Sequence, residues 1–149
     1  MRELVFALEF RGRAGAMPGA RTLRQARTSA PSQVLRTVIG PVGIESRIEL
    51  VAGEQAVLES TVERFPDGGF TEDGVITYGT AGRVTFATVG KGTVGPGPTP
   101  GCSHGAVVWI VTGGEGRFAG ARGLITSNFT VSGDGDVADH HFARLYLPD

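Results

Sequence analysis

Glu9 lies in the middle of an apolar opening run, three residues after Phe6 and directly before Phe10. A carboxylate facing a closed apolar lumen has its pKa raised by desolvation, which makes Glu9 a candidate general acid or base. The competing placement is a wet outer face shared with Arg11. Alternation favours the outer face, because Leu4, Phe6, Leu8 and Phe10 fall together on the core-like side. Cys102-Ser103-His104 and His140-His141 offer thiolate and imidazole ligands of the kind zinc and copper take. Adjacent histidines on a strand point to opposite faces, so at most one of the pair can join His104 inside. Ordinary surface or pocket histidines are the plainer reading. A Cys102–His104 nucleophilic pair would sit in or beside a flexible loop, a poor place to hold a base in register. No metal and no cofactor is therefore expected.

Gly114-Glu115-Gly116-Arg117-Phe118-Ala119 fits the loose dinucleotide pattern G-x-G-x-x-A after a strand. That chemistry needs a helix next, whose N-terminus holds the pyrophosphate. Gly120, Gly123 and Ile125-Thr126 follow instead and suit a strand, so the segment reads as a tight hairpin with Phe118 plugging a barrel end. Gly90-Lys91-Gly92-Thr93 lacks the spacing of a phosphate-binding loop.

The elements that must carry these residues are strands. Leu4–Arg11 alternates cleanly, and Gly12–Gly19 breaks the pattern. Ala20–Ile39 is ambiguous: Arg21, Arg24 and Arg27 repeat at helical spacing, Pro31 interrupts, and Ser32 can cap a short helix ending at Gly40-Pro41, with a strand as the alternative. Ile44–Leu50 and Ala56–Phe65 alternate, and Pro66-Asp67-Gly68-Gly69 is a turn. Short strands follow at Gly74–Tyr78 and Arg83–Val89. Gly90–Gly101 reads as a long loop, and long loops on a rigid scaffold often carry function. Ala106–Thr112, with Trp109, reads as a strand buried on both faces, and Leu124–Val131 and Ala138–Leu147 complete the set. Seven or eight short strands with turn signals between them predict a sandwich or barrel, and eight strands close around one small ligand.

The 149 residues suit one domain spanning 1–149, large enough to bury a core unaided. Cys102 is the only cysteine, so no intrachain disulfide forms. A net charge of −1 argues against a nucleic-acid partner, although eight arginines crowd the chain up to Arg47. No apolar run approaches the ~20 residues that cross a bilayer. Glu3 and Glu9 interrupt the signal-like start, so a cytoplasmic protein with no membrane partner is expected. The sequon Asn128-Phe129-Thr130 has no meaning without secretion.

The run Val111-Thr112-Gly113-Gly114-Glu115-Gly116-Arg117-Phe118-Ala119-Gly120-Ala121-Arg122-Gly123 resembles the hairpin signature shared by allene oxide cyclases and dirigent proteins. The similarity extends to Tyr78-Gly79, Gly82-Arg83-Val84 and the closing His141–Leu147, and the layout Glu3-Leu4, Glu9, Gly15, Pro18 is also similar. The resemblance implies an all-β, eight-stranded antiparallel β-barrel of allene oxide cyclase-like or calycin-like form. It implies an apolar cavity and a homo-oligomer, dimer or trimer. Plant members convert an unsaturated epoxide into a cyclopentenone without a cofactor, and similar bacterial barrels include cyclases of natural-product pathways. Glu9 matches the family's first-strand, cavity-facing glutamate with one residue of slip, and Pro18 matches the proline after a pocket serine. Met17 replaces that serine and no asparagine accompanies it, so a changed substrate on the same barrel is implied.

The expected function is a cofactor-independent cyclase or isomerase that confines an apolar polyene, polyketide or epoxide intermediate. Glu9 would be the acid or base. Phe6, Tyr78 and Trp109 would line the pocket, Asn128 would add a polar contact, and Lys91–Gly101 would serve as a lid. The alternatives are a lipocalin-like barrel that only holds a small hydrophobic ligand, and an interaction module with a filled lumen.

Overall fold

Period-two alternation runs through nearly the whole chain, and the computed structural model, which describes residues 1–149, is correspondingly built of strands alone. They are β1 (Arg2–Met17), β2 (Ala20–Ala30), β3 (Gln33–Gly40), β4 (Gly43–Leu50), β5 (Ala56–Arg64) and β6 (Gly69–Tyr78), then β7 (Gly82–Thr88), β8 (Gly92–Pro96), β9 (Cys102–Gly116), β10 (Arg122–Ser132) and β11 (Asp136–Leu147). There is no helix, so none is long and apolar enough to cross a membrane.

Antiparallel pairing in the order β1-β2-β5-β6-β7-β9-β10-β11 returns to β1 and closes an eight-stranded barrel. Strand β7 stops short, and β8 takes its place between β6 and β9 at the other end of the barrel. The break between them leaves Glu72, paired with Val62 of β5 on one side, without a strand partner on the other. The Thr88 hydroxyl fills in, accepting from the Glu72 amide at 2.7 Å and donating to the Glu72 carbonyl at 2.9 Å.

Several expectations change. Gly90–Gly101 is not all loop, because Gly92–Pro96 forms β8. Ala20–Ile39 holds no helix; it is β2 and β3, separated at Pro31. Strands β3 and β4 pair only with each other and project from the wall as a hairpin, stitched to β1 where Gln33 Oε1 accepts from the Glu9 amide at 2.8 Å. Ala106–Thr112 is buried on one face only: Val107, Trp109 and Val111 point in, while Val108 and Ile110 lie on the outer wall. Its partners are antiparallel strands of a single-layer barrel, and nothing covers the outside.

One end of the barrel is sealed by Phe6, Tyr78 and Phe118, whose rings meet at centroid distances of 5.5 Å and 5.1 Å. The seal depends on Gly114. A Cβ there would lie 1.9 Å from the Phe118 carbonyl oxygen, so only glycine lets the turn fold back and drop Phe118 into the lumen. Gly116, at φ 65°, supplies the left-handed turn residue beside it. Gly114→Ala is expected to destabilise the fold by about 2 to 3 kcal/mol in urea melts. Gly15→Ala, with nothing within 4 Å, is expected to change it by less than about 0.5 kcal/mol. Equal effects at the two positions would refute the close-approach account.

Candidate active site

The opposite end of the barrel stays open. A cavity of about 420 Å³ descends from it, walled by apolar residues such as Leu58, Val62, Phe70, Val94 and Phe129. Three polar side chains face it from well inside: Thr28, Glu72 and Asp139.

Glu72 is inward because it shares the face of Phe70 and Ile76 on β6. Its Oε2 accepts from the Ser60 hydroxyl at 2.5 Å. Burial pushes its carboxyl up from 4.5 to about 7; the Ser60 bond opposes the rise, while the charges of Asp139 and Asp73 add to it. At neutral pH the group is therefore divided between acid and base forms, the condition for giving or taking a proton.

Asp139 approaches from β11. Its Oδ1 accepts from Ser127 at 2.6 Å, and its Oδ2 lies 2.9 Å from His141 Nε2. His141 is clamped behind it, stacked on Phe10 at 4.2 Å and edge-on to Trp109 at 5.0 Å. The Ser127 hydroxyl is committed to Asp139 and does not reach His141, so this is not a serine nucleophile with a histidine base. The trio instead holds one carboxylate in a fixed orientation, suited to stabilising positive charge that develops in a ligand. Thr28 Oγ1, Trp109 Nε1 and His141 Nδ1 are buried without a partner. Unsatisfied buried polar atoms are costly, and Thr28 faces the cavity, where a ligand's polar group can meet it.

The residues singled out from sequence separate. Glu9 is on the outer wall, where Oε1 meets Arg11 Nε at 2.5 Å and Oε2 meets His140 Nε2 at 2.9 Å. The parity that sends Phe10 inward sends Glu9 outward, as alternation implied and the resemblance did not. Asn128 also faces out, since its neighbour Ser127 is inward on β10. Phe6 and Tyr78 are inside but belong to the sealed end; burial raises the Tyr78 phenol above its usual value. Trp109 is fully buried against Phe86 beneath the cavity floor. His140 faces out, His141 in, and His104 is exposed, so the three do not converge. Glu72 and Asp139 went unnoticed, yet the signal was present. Both fall on the inward parity of their strands, but a β6 begun at Gly74 left Glu72 outside any strand.

No protein-family model and no curated protein matches the chain. Among solved structures it is similar to that of a pterocarpan synthase dirigent protein, at 15% identity and a TM-score of 0.33, over 99% of this chain and 92% of that one. The eight-stranded barrel stands on the strand pairings themselves.

Proposed function

We propose that the barrel is a cofactor-independent cyclase or isomerase whose cavity folds a reactive, largely apolar intermediate, with Glu72 in place of Glu9 as the acid or base. The observation that carries this reading is a buried carboxyl, held near pH 7, on the wall of an open cavity. The apolar walls would confine one conformer of the ligand, and Asp139 would offset positive charge as it forms. Exposed apolar residues on the hairpin, with Ile39 at 79% and Val42 at 95%, support a homo-oligomer in which they are covered.

The test is to incubate the protein with linear polyene epoxides and poly-β-ketone mimics and to score cyclised product by chiral chromatography. Product above background and of one hand, kept by Glu9→Gln and lost by Glu72→Gln, is the expected result. Tight binding of these compounds with no product from the wild type would favour the second reading, a barrel that only carries its ligand. An open cavity with apolar walls serves that role equally.

A further inference from the structure

Two arginines stand at the cavity mouth with no acid beside them. Strand parity puts Arg24 on the inward face of β2 with Ala26 and Thr28, and Arg64 on the inward face of β5 with Ser60 and Val62. Both line the cavity and both are half-buried. On the outer surface Arg11, Arg13, Arg27, Arg83 and Arg144 each sit against a carboxylate, and Arg2, Arg21, Arg117 and Arg122, which do not, are exposed to solvent rather than half-buried at a cavity. Arg24 and Arg64 have no such ion pair. Three acids face the same cavity: Asp134 at the rim, and Glu72 and Asp139 deeper. None pairs with either arginine, and Asp139 is held by Ser127 and His141.

The register pairs Arg24 with Val62, which makes Arg64 its diagonal neighbour across β2 and β5. Such neighbours lie roughly 7–8 Å apart, so two flexible guanidinium forks can close on one anion. Between them and the interior runs the apolar wall of Val62, Phe70 and Phe129, and beyond it the unpartnered hydroxyl of Thr28.

We infer that the cavity takes an amphipathic organic anion, its acidic head held by Arg24 and Arg64 and its apolar body lying inward toward Thr28 and Glu72. This deepens the proposed function and rests on the same cavity being the working site. Val62 pairs with both Arg24 and Glu72, so those two residues stand two strands apart, about 10 Å. Thr28 lies four residues along β2 from Arg24, about 13 Å. The ligand's acidic head and its reacting group are separated by that much, the reach of a medium-chain acid. Carboxylate and phosphate heads share the required chemistry.

The test is a nuclear magnetic resonance shift titration of the wild type and the Arg24→Ala/Arg64→Ala double variant with octanoate, octyl phosphate and 1-octanol. Octanoate or octyl phosphate is expected to bind at least about tenfold more tightly than octanol, with shifts at Arg24, Arg64, Val62 and Phe70. The double variant should lose about 10- to 100-fold of that affinity and keep its octanol affinity within about twofold. The anion's affinity should also fall as salt is added, because the mouth is open to solvent. The tighter of the two anions identifies the head group as carboxylate or phosphate. If the double variant melts early, Arg24→Gln and Arg64→Gln made singly carry the same comparison. Octanol binding as tightly as both anions, or anion affinity unchanged in the variants, overturns the inference and leaves the cavity reading standing. Failure of all three compounds to bind the wild type overturns both.

Discussion

Replacing Glu72 by Gln is expected to remove turnover while making the protein relatively more stable above neutral pH. The first effect follows from the loss of the group proposed to exchange a proton in the cavity, with a fall of about 10²- to 10⁴-fold. The second follows from linkage. Glu72 is raised from 4.5 to about 7 in the folded state, principally by burial. Below 4.5 both folded and unfolded chains hold the proton, and the group is neutral in the balance. Between 4.5 and about 7 the unfolded chain releases the proton while the folded chain keeps it, so stability falls as pH climbs. Above about 7 the loss is complete, at about 3 kcal/mol. Gln carries no charge to desolvate. The stability of Glu72→Gln relative to wild type should therefore improve by about 3 kcal/mol between pH 4 and pH 8, whatever the amide itself does to the packing. Urea melts of both proteins at those two pH values read this directly. Parallel pH profiles would mean that Glu72 titrates as an ordinary exposed carboxyl, and the proposed chemistry would lose its acid.

Truncation of Trp109 should give the largest loss of stability. Trp109 is fully buried, packed on Phe86 at 4.3 Å and against His141 at 5.0 Å, at the level where the cavity floor meets the sealed half of the barrel. Trp109→Ala is expected to cost about 3 to 5 kcal/mol, because neighbours held in strands of a closed barrel cannot collapse into the void. For a chain of this length the melting temperature should drop by roughly 10 °C or more, followed by circular dichroism because the only tryptophan is gone. Trp109→Phe should behave differently. It loses part of the ring but also removes Nε1, a buried donor without a partner. The two terms oppose each other, and the variant should stay within about 1.5 kcal/mol of wild type. A Trp109→Phe as unstable as Trp109→Ala would show that Nε1 is bonded, for instance to a buried water.

Much of this architecture was readable one strand at a time. The alternation of Leu4, Phe6, Leu8 and Phe10 marks the inward face of β1, and it correctly weighed against an inward Glu9. The glycines of Thr112–Gly123 announced a hairpin that plugs an end with Phe118, because a carbonyl packed onto Gly114 leaves no room for a Cβ. Where the reading failed, the missing information was not local. Lys91–Gly101 was read as lid and loop from its glycines and prolines. Five of its residues, counted with Gly92, nonetheless form β8, because β6 and β9 present free ladder groups where β7 stops. The arginines of β2 recur at helical spacing, yet pairing with β1 and β5 on both sides makes the segment a strand.

The sequence by itself determined parity: which residues of a strand share a face. That property is set by the two-residue repeat of an extended backbone and needs no partner. Only the tertiary structure decided which face became the inside of a closed wall, which end was sealed and which left open. It also decided that Glu72 of β6 and Asp139 of β11, 67 positions apart in the chain, would share one cavity. Those outcomes depend on register between distant strands and on closure of the ring. The property that makes Glu72 a candidate acid is collective in the same way. A carboxyl is desolvated by everything packed around it, and no stretch of sequence around residue 72 contains that surrounding.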